Sequence, residues 1–246
     1  MLTQRLMAHW KFNDNLNDET GTYPAESIDP NFVTGINGQA ILISEIPDEE
    51  VSASGIGKLA SMTISMWLQP TYLKFGDINM LSTVGDEPLE GIVYMWLYDF
   101  AWFNCEVDTV GVVQGQIPDP TAGAWYHVAY TYDMNEQLMQ IYVNGELAGS
   151  SLVANPLPAD LSTINFGRNP DAGDNWIGPI DDVQIYSYPL DAYKIAGLYT
   201  DFVEAEICPE NPAYDLNGDC IVNLDDIALL TDDWLLCNIV PACVEP

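Results

Sequence analysis

Oxygen-bearing side chains recur at fixed intervals in a twelve-residue stretch near the C-terminal end, "DLNGDCIVNLDD", residues 215–226. In a twelve-residue calcium-binding loop, positions 1, 3, 5, 9 and 12 present side-chain oxygens or an ordered water, and position 7 presents a backbone carbonyl. The spacing therefore predicts a site for a calcium ion, Ca2+, whereas the alternative interpretation is an acidic turn that binds nothing. The predicted ligands are Asp215, Asn217, Asp219, Ile221 through its carbonyl, Asn223 and Asp226.

Two positions of this loop depart from the usual pattern. Position 6 is Cys220 where such loops carry glycine, and position 12 is Asp226 where they carry the longer glutamate. The residues that follow, "IALLTDDWLLC", place apolar side chains along one stripe of a short predicted helix. This stripe needs either a core or a docking partner, and it consists of Ile227, Leu230, Trp234 and Leu235.

Cysteines are concentrated around the same loop. Four of the five cysteines fall in the last forty residues, namely Cys208, Cys220, Cys237 and Cys243. This density favours disulfides, and disulfides persist in oxidising, extracellular settings. The pairing stays open, with Cys208 or Cys243 as possible partners of Cys220 or Cys237.

The charge of the chain restricts its partners. The formal net charge is -31, from 37 acidic and 6 basic residues, and no Lys or Arg follows Lys194. Binding to nucleic acid or to anionic membranes needs clustered Lys and Arg, so neither partner is expected. No apolar run approaches the roughly 20 residues of a membrane span, so membrane insertion is not expected either.

The chain before this loop predicts β-structure. From Met7 to about Tyr186, short β-runs recur between clusters of Gly, Pro, Asn and Asp, as in "MTISMWLQP", "GIVYMWLYDF" and "AWYHVAYTYD". Their spacing is typical of an all-β protein with two packed antiparallel sheets. Asn144-Gly145 between two runs predicts a tight hairpin turn, and "LDAYKIAGLY", residues 190–199, predicts a short closing helix.

The predicted elements divide the chain into three parts. The acidic stretch 201–213 contains two prolines and shows no periodicity, so it is interpreted as a linker. We therefore expect a β-sandwich over residues 1–200, a linker over 201–213 and a small C-terminal module over 214–246.

The order of several motifs resembles that of laminin G-like domains in the concanavalin A-like lectin/glucanase superfamily. The motifs are "AHWKFNDN…NDETG", "ISMWLQP", "GAWYHVAYTYD", "QIYVNGELAG", "FGR" and "GPIDDVQIYSYPLDAYKIAGLY", which together cover about residues 7 to 200. The resemblance implies an antiparallel jelly-roll sandwich. It also implies a calcium ion between the loop after the first strand and the strand carrying "IDDV", with Asp18, Asn15 and Asp181 as ligands. The alternative is that Asp14, Asp18 and Asp182 are ordinary solvated charges of loops and strand edges.

The C-terminal loop resembles dockerin modules, in which an aspartate closes the loop and the following helix begins at once. A dockerin normally carries two such loops, and this chain shows one, so it resembles half of a dockerin. The resemblance implies attachment, for example to a cohesin-like protein.

Catalytic residues are not expected. Retaining glycosidases of the same superfamily need two carboxyls about 5 Å apart, and "CEVDTVGVV" supplies Glu106 and Asp108 without the further carboxylate of that signature. Both are interpreted as surface-face residues of a strand. His9 and His127 are interpreted as structural, because no G-x-S-x-G nucleophile turn accompanies them.

One aromatic run leaves two interpretations open. In "YMWLYDFAWF", alternate aromatic side chains either fill the core of the sandwich or lie exposed, where they could stack on sugar rings or contact a protein. The aromatic residues concerned are Tyr94, Trp96, Trp102 and Phe103.

These features favour a non-catalytic, calcium-binding protein of the cell surface or extracellular space that assembles with copies of itself. Calcium would offset part of the self-repulsion of the chain, and the apolar stripe of the tail would dock head-to-tail on a neighbouring sandwich, giving oligomers, filaments or tubes. The alternative is a secreted carbohydrate-binding module that is attached to a larger complex through its tail, with a glycan as its partner.

Overall fold

A computed structural model describes residues 5–44, 50–84, 91–99, 101–117, 120–168, 175–210 and 212–232. The chain divides into two compact units, Met1–Ile207 and Cys208–Pro246. The division falls within the stretch 201–213 that the sequence predicts to be a linker.

The first unit is built almost entirely of strands. Counting only the described residues, the chain contains fifteen strands and two helices. The strands are β1 (Leu6–Trp10), β2 (Ala25–Glu26), β3 (Phe32–Thr34), β4 (Gln39–Ile43), β5 (Val51–Leu59), β6 (Ser61–Leu68), β7 (Asp77–Val84), β8 (Val93–Tyr98), β9 (Trp102–Val107), β10 (Gly111–Gln116), β11 (Tyr126–Asp133), β12 (Leu138–Val143), β13 (Glu146–Leu152), β14 (Ala159–Phe166) and β15 (Gly178–Tyr186). The helices are α1 (Ala192–Thr200) and α2 (Leu224–Asp232).

The strands form two antiparallel sheets. In sheet A, the order is β13-β12-β11-β6-β15-β4-β3, with β1 also paired to β15. In sheet B, the order is β10-β9-β8-β7-β14-β5-β2. One apolar core contains side chains of both sheets: Trp10 of sheet A contacts Phe166 of sheet B edge-on, with ring centroids 5.2 Å apart. The predicted antiparallel sandwich is confirmed, and its two sheets are consistent with a jelly roll.

The strand β6 shows how the sheets are covered. Met62, Ile64 and Met66 alternate along it and point into the core between the sheets, as their period of two predicts. The intervening residues are buried as well, because the segment around Pro189 and α1 covers the outer side of sheet A. Thr63 joins that segment directly, since its hydroxyl donates to the Tyr188 carbonyl at 2.9 Å and accepts from the Leu190 N–H at 2.8 Å.

Two local predictions are confirmed. Asn144 and Gly145 have φ angles of 51° and 84°, the positive values that a two-residue hairpin turn between β12 and β13 requires. The predicted closing helix is α1, whose first turn is capped by the Asp191 carboxylate, which accepts from the Lys194 N–H at 2.9 Å.

The second unit contains α2 and a disulfide between Cys208 and Cys220. This pairing is one of those left open by the sequence. Among the described residues, no helix is long and apolar enough to cross a membrane.

Candidate functional site

The strand β8 presents aromatic side chains on the outer side of sheet B. Its residues alternate between Val93, Met95 and Leu97, which are buried in the core, and aromatic residues that are half-buried or exposed. Because alternate residues of a strand lie on the same face, all of these aromatic rings are on the side away from the core. They are Tyr94, Trp96 and Tyr98.

Strand pairing extends this surface across β7, β9 and β10. Residues directly opposite each other in an antiparallel pair lie on the same face of a sheet. Each aromatic residue of β8 is therefore the centre of a row that crosses four strands. The rows are Gln116, Trp102, Tyr98 and Asp77; then Gln114, Asn104, Trp96 and Asn79; then Val112, Glu106, Tyr94 and Ser82. We call this surface, formed by these twelve residues, the aromatic face.

The aromatic face is only partly open to solvent. Trp102 is 37% exposed and Tyr98 is 41% exposed, whereas Trp96 and Tyr94 are half-buried. Asn104 lies fully buried beside them, and its Nδ2 donates to the Trp102 carbonyl at 2.9 Å. Its Oδ1 has no hydrogen-bond partner within the described part of the chain. The face thus combines flat apolar rings with amide donors and acceptors.

These positions decide between the two interpretations of the aromatic run. Phe103 is buried in the core, where it contacts Tyr126 with ring centroids 6.2 Å apart. Tyr94, Trp96 and Trp102 lie instead on the outer side of sheet B. The interpretation as core residues is therefore wrong for three of the four residues, because the core side of β8 is already occupied by its aliphatic residues.

Carboxylates lie at both ends of the aromatic face. Asp77 is opposite Tyr98, and the hydrogen bond and charge of Asp99 raise the pKa of the Tyr98 hydroxyl, with Asp77 adding to the effect. At the other end Glu106 is opposite Tyr94, and burial raises its pKa, with a further contribution from the charge of Asp108. The strand β9 ends at Val107, so Asp108 lies in the turn to β10 and not on the strand face, contrary to the sequence interpretation.

Asp18, a predicted calcium ligand, is surrounded by donors of the chain itself. Its Oδ1 accepts from the N–H groups of His9 at 2.8 Å and Thr20 at 3.0 Å. Its Oδ2 accepts from the N–H groups of Thr22 and Tyr23, both at 3.0 Å, and from the Thr20 hydroxyl. Burial acts to raise the pKa of Asp18, but the hydrogen bonds outweigh it and hold the pKa below its usual value. Asp18 thus closes the loop that follows β1 through hydrogen bonds to the chain itself.

Asp181 and Asn15 also form hydrogen bonds within the chain. The Oδ2 of Asp181 accepts from the Ile36 N–H at 2.9 Å, and its Oδ1 accepts from the Asp182 N–H at 2.7 Å. Burial raises the pKa of Asp181 to about 7, although these N–H groups act against the increase. Asn15 donates to the Asn13 carbonyl at 2.6 Å. Within the described residues, no group of three or more His, Cys, Asp or Glu side chains is arranged to hold a metal ion.

The two histidines make the contacts of structural residues. His9 Nε2 lies 2.5 Å from Asp182 Oδ1, and Asp182 also accepts from Gln184 Nε2 at 2.8 Å. His127 is fully buried, with its Nε2 2.8 Å from Ser65 Oγ, and burial lowers its pKa to about 4. A neutral, enclosed imidazole has no access to a substrate.

In the second unit, the loop 215–226 is ordered by its own side chains. Asp215 Oδ1 accepts from the Gly218 N–H at 2.7 Å, and its Oδ2 accepts from the Cys220 N–H at 2.8 Å. Asp226 is buried and accepts from the N–H groups of Leu216 at 2.8 Å and Asn223 at 2.7 Å, so position 12 closes back on the start of the loop.

The remaining predicted ligands of this loop also have local contacts. Asn217 Oδ1 accepts from the Asp219 N–H at 3.0 Å, and Asp219 Oδ1 accepts from the Ile221 N–H at 2.8 Å. Cys220, at position 6, has a φ of 66°. This is the left-handed conformation for which such loops use glycine, so the backbone keeps the usual turn despite the substitution.

Sequence reasoning missed several members of the aromatic face. Asn104, Gln114 and Gln116 belong to β9 and β10, whose strand pairing brings them beside the rings. The alternation in "VYMWLY" could have identified the face, because all its aliphatic residues fall on one side and all its aromatic residues on the other.

Comparisons with solved structures identify similar sandwiches. One is domain 4 of AbnA, a GH43 extracellular arabinanase from Geobacillus stearothermophilus, in complex with arabinotriose. It is 20% identical with a TM-score of 0.62, and the match covers 80% of this chain and 98% of that domain. The binding domain of Paraclostridial Mosquitocidal Protein 1 is 16% identical with a TM-score of 0.67, and the match covers 80% and 52%. The binding domain of botulinum neurotoxin DC in complex with SialylT is 18% identical with a TM-score of 0.65, and the match covers 81% and 51%.

These likenesses establish the fold, and the chain spans about half of the length of the two toxin domains. No curated protein matches the chain in sequence. A laminin G-like family model, described as concanavalin A-like lectin/glucanases superfamily, matches residues 46–196, which is more than half of the chain. The chain therefore belongs to the laminin G-like family of the concanavalin A-like lectin/glucanase superfamily.

Proposed function

We propose that the sandwich is a non-catalytic carbohydrate-binding module that holds a glycan on the aromatic face. The observation that carries the proposal is the set of rows on β7–β10, in which exposed and half-buried rings lie beside amide side chains in two of the three rows. Aromatic rings stack on the apolar faces of sugars, and the amides of Gln114 and Gln116 can both donate to and accept from hydroxyl groups.

The comparisons support this proposal at the level of the sandwich. Domain 4 of the arabinanase was solved with arabinotriose and corresponds to this sandwich over nearly its whole length. One of the toxin binding domains was solved with SialylT. These are properties of those proteins, and they make a glycan the first ligand to test here.

The described carboxylates support a binding role over catalysis. Glu106 lies on the aromatic face, but Asp108 is in the following turn, so the two do not stand side by side on one strand face as the glycosidase signature requires. We therefore assign Glu106 to contact with the ligand and not to acid–base chemistry.

Substitution of Trp102 tests the proposal. Trp102→Ala in the full chain should weaken glycan binding by tenfold or more, because an aromatic anchor at a binding surface typically contributes about 2 kcal/mol. The glycan would be selected on an array and its affinity measured by titration calorimetry. Tyr193→Ala is the matched control, because Tyr193 is an exposed aromatic residue of α1, which covers sheet A. Equal affinity of the Trp102 variant and the wild type would contradict the proposal.

For the second unit we propose calcium binding by the loop 215–226. The donor chemistry suits calcium, because the predicted ligands are short carboxylates, amides and one backbone carbonyl. The backbone supports the proposal too, since the φ of Cys220 is that of position 6 in such loops and Asp226 closes the loop. A bound calcium would be held by Asp215, Asn217, Asp219, Ile221, Asn223 and Asp226.

A calcium ion in the sandwich receives less support. Asp18 accepts from N–H groups of residues 9, 20, 22 and 23, whereas Asp181 accepts from those of Ile36 and Asp182, so the two carboxylates are bonded to different segments. The set Asp18, Asn15 and Asp181 stays a prediction, and the calcium proposal rests on the C-terminal loop.

Attachment is the role we propose for the second unit. Its resemblance to half of a dockerin suggests a cohesin-like partner, and the disulfide between Cys208 and Cys220 is typical of the extracellular space or cell surface.

Self-assembly through the tail also stays a prediction. Of its apolar stripe, the side chain of Ile227 is described and is 52% exposed, while Trp234 and Leu235 lie outside the described residues.

A further inference from the structure

We infer that the aromatic face selects uncharged glycans over anionic ones, so that uronic acid polymers and sialylated glycans are excluded. The inference rests on the proposed function and specifies the ligand class of the same surface. It follows from the positions of the carboxylates and amides around the rings.

Neutral side chains occupy the centre of the face, and carboxylates occupy its two ends. The middle row contains Trp96 with amides on either side. At one end Glu106 is directly opposite Tyr94, and at the other Asp77 is directly opposite Tyr98. Opposite residues in an antiparallel pair have Cβ atoms about 5 Å apart. A sugar that stacks on either terminal ring therefore lies beside a carboxylate.

The length of the face makes contact with these carboxylates difficult to avoid. Tyr94 and Tyr98 are four residues apart on one strand, which corresponds to about 13 Å at the usual rise of a strand. This distance is longer than a single sugar ring, so an oligosaccharide aligned with β8 spans from Glu106 to Asp77. Uncharged hydroxyl groups can donate hydrogen bonds to both carboxylates. An ionised uronate or sialate carboxylate has no proton to donate, and the negative charges of Glu106 and Asp77 repel it.

Four of the six basic residues of the chain have contacts away from the aromatic face. Of the six in the chain, three form ion pairs elsewhere: Lys11 with Glu19, Lys58 with Asp160, and Lys194 with Asp191. Arg5 Nε contacts Met7 Sδ, next to β1 of sheet A. Lys74 and Arg168 lie on loops before β7 and after β14, and no row of the aromatic face contains either residue.

The test uses the full chain on an array of matched glycan pairs that differ only in charge, such as methyl-esterified and free polygalacturonate, at low ionic strength. We expect uncharged glycans to bind, and their anionic counterparts to bind at least tenfold more weakly. The double variant Glu106→Gln/Asp77→Asn should bring the ratio of the two affinities close to one, whatever its effect on the affinity for the uncharged glycan. The control Glu136→Gln/Asp29→Asn removes two charges from exposed positions outside the aromatic face and should leave the selectivity unchanged.

The outcomes separate this inference from the proposed function. Equal binding of charged and uncharged glycans by the wild type would overturn the selectivity and leave the glycan-binding role in place. Selectivity that persists in the Glu106/Asp77 double variant would also overturn the inference, because other groups would then exclude the anion. An array on which no glycan binds would overturn the proposed function and the selectivity with it.

Discussion

At the scale of single residues, the buried His127 gives the sandwich a defined response to acid. The ring contacts Ser65 Oγ at 2.8 Å and lies against Trp67, with ring centroids 5.2 Å apart. Burial lowers the pKa of His127 from 6.5 to about 4, so the folded chain keeps this imidazole neutral while the unfolded chain takes up a proton. Between these values the unfolded chain binds more protons than the folded one.

We therefore expect His127 to reduce the stability of the fold as the pH falls from 6.5 to 4. The free energy of unfolding should decrease over this window by up to about 3 kcal/mol, because each pKa unit corresponds to about 1.4 kcal/mol. Asp181 acts in the opposite direction, since its folded pKa of about 7 lies above its unfolded value of 3.8. The measurement is urea unfolding at several pH values for the wild type and His127→Phe.

The difference in pH dependence between the wild type and His127→Phe isolates the contribution of His127, because Asp181 contributes equally to both proteins. In His127→Phe the Ser65 hydroxyl loses its partner, which lowers the free energy of unfolding by an amount that does not depend on pH. The informative quantity is therefore the slope of the free energy of unfolding against pH. If wild type and variant show the same slope between pH 6.5 and 4, then His127 does not carry this response.

At the scale of elements, the C-terminal loop gives the clearest test of a metal. Titration of the full chain with calcium should show a site that Asp215→Ala/Asp226→Ala removes, because these residues close the two ends of the loop. The matched control is Asp225→Ala, which removes an exposed carboxylate at a position of the loop that supplies no ligand. Calorimetry would report the number of ions bound.

The double variant and the wild type should differ by one ion per chain, and an unchanged number of bound ions would contradict the calcium proposal.

Sedimentation velocity of the same samples, with calcium and with chelator, tests the predicted self-assembly. A single monomeric species in calcium would end that prediction without affecting the glycan-binding proposal.

The elements themselves could be predicted unevenly from the sequence. Strands with period-two patterns and the Asn144-Gly145 turn were predictable, since their signals are local. The strand β5 was not, because its sequence "VSASGIGKL" is rich in Ser and Gly, and Gly55 and Gly57 adopt positive φ angles beside a register shift with β14. Its pairing with β14 depends on residues more than a hundred positions away.

The candidate site was predictable only in part, for a related physical reason. The spacing of the loop 215–226 is local, so the sequence alone is enough to name its expected ligands. The alternation in "VYMWLY" indicates which side of β8 faces the core, but the rest of the aromatic face depends on the register of three neighbouring strands, which a single run does not reveal. Asp18 illustrates a further limit, because the sequence alone does not show that its carboxylate accepts four N–H groups of β1 and the following loop.

At the scale of the whole molecule, the charge and the two units support one account. A net charge of -31 makes nucleic acids and anionic surfaces poor partners, and the same excess of carboxylate extends to the ends of the aromatic face. We propose that the sandwich supplies a surface suited to uncharged glycans, and that the loop 215–226 and the disulfide form a compact module suited to attachment.

The most direct test of this account is a crystal structure of the full chain with the oligosaccharide that binds most tightly on the array. We predict sugar rings stacked on Tyr98 and Trp102, with hydroxyl groups hydrogen-bonded to Gln114 or Gln116. A sugar bound elsewhere, such as in the cavity lined by His9, Asp181 and Asp182, would contradict the assignment of the aromatic face as the binding site.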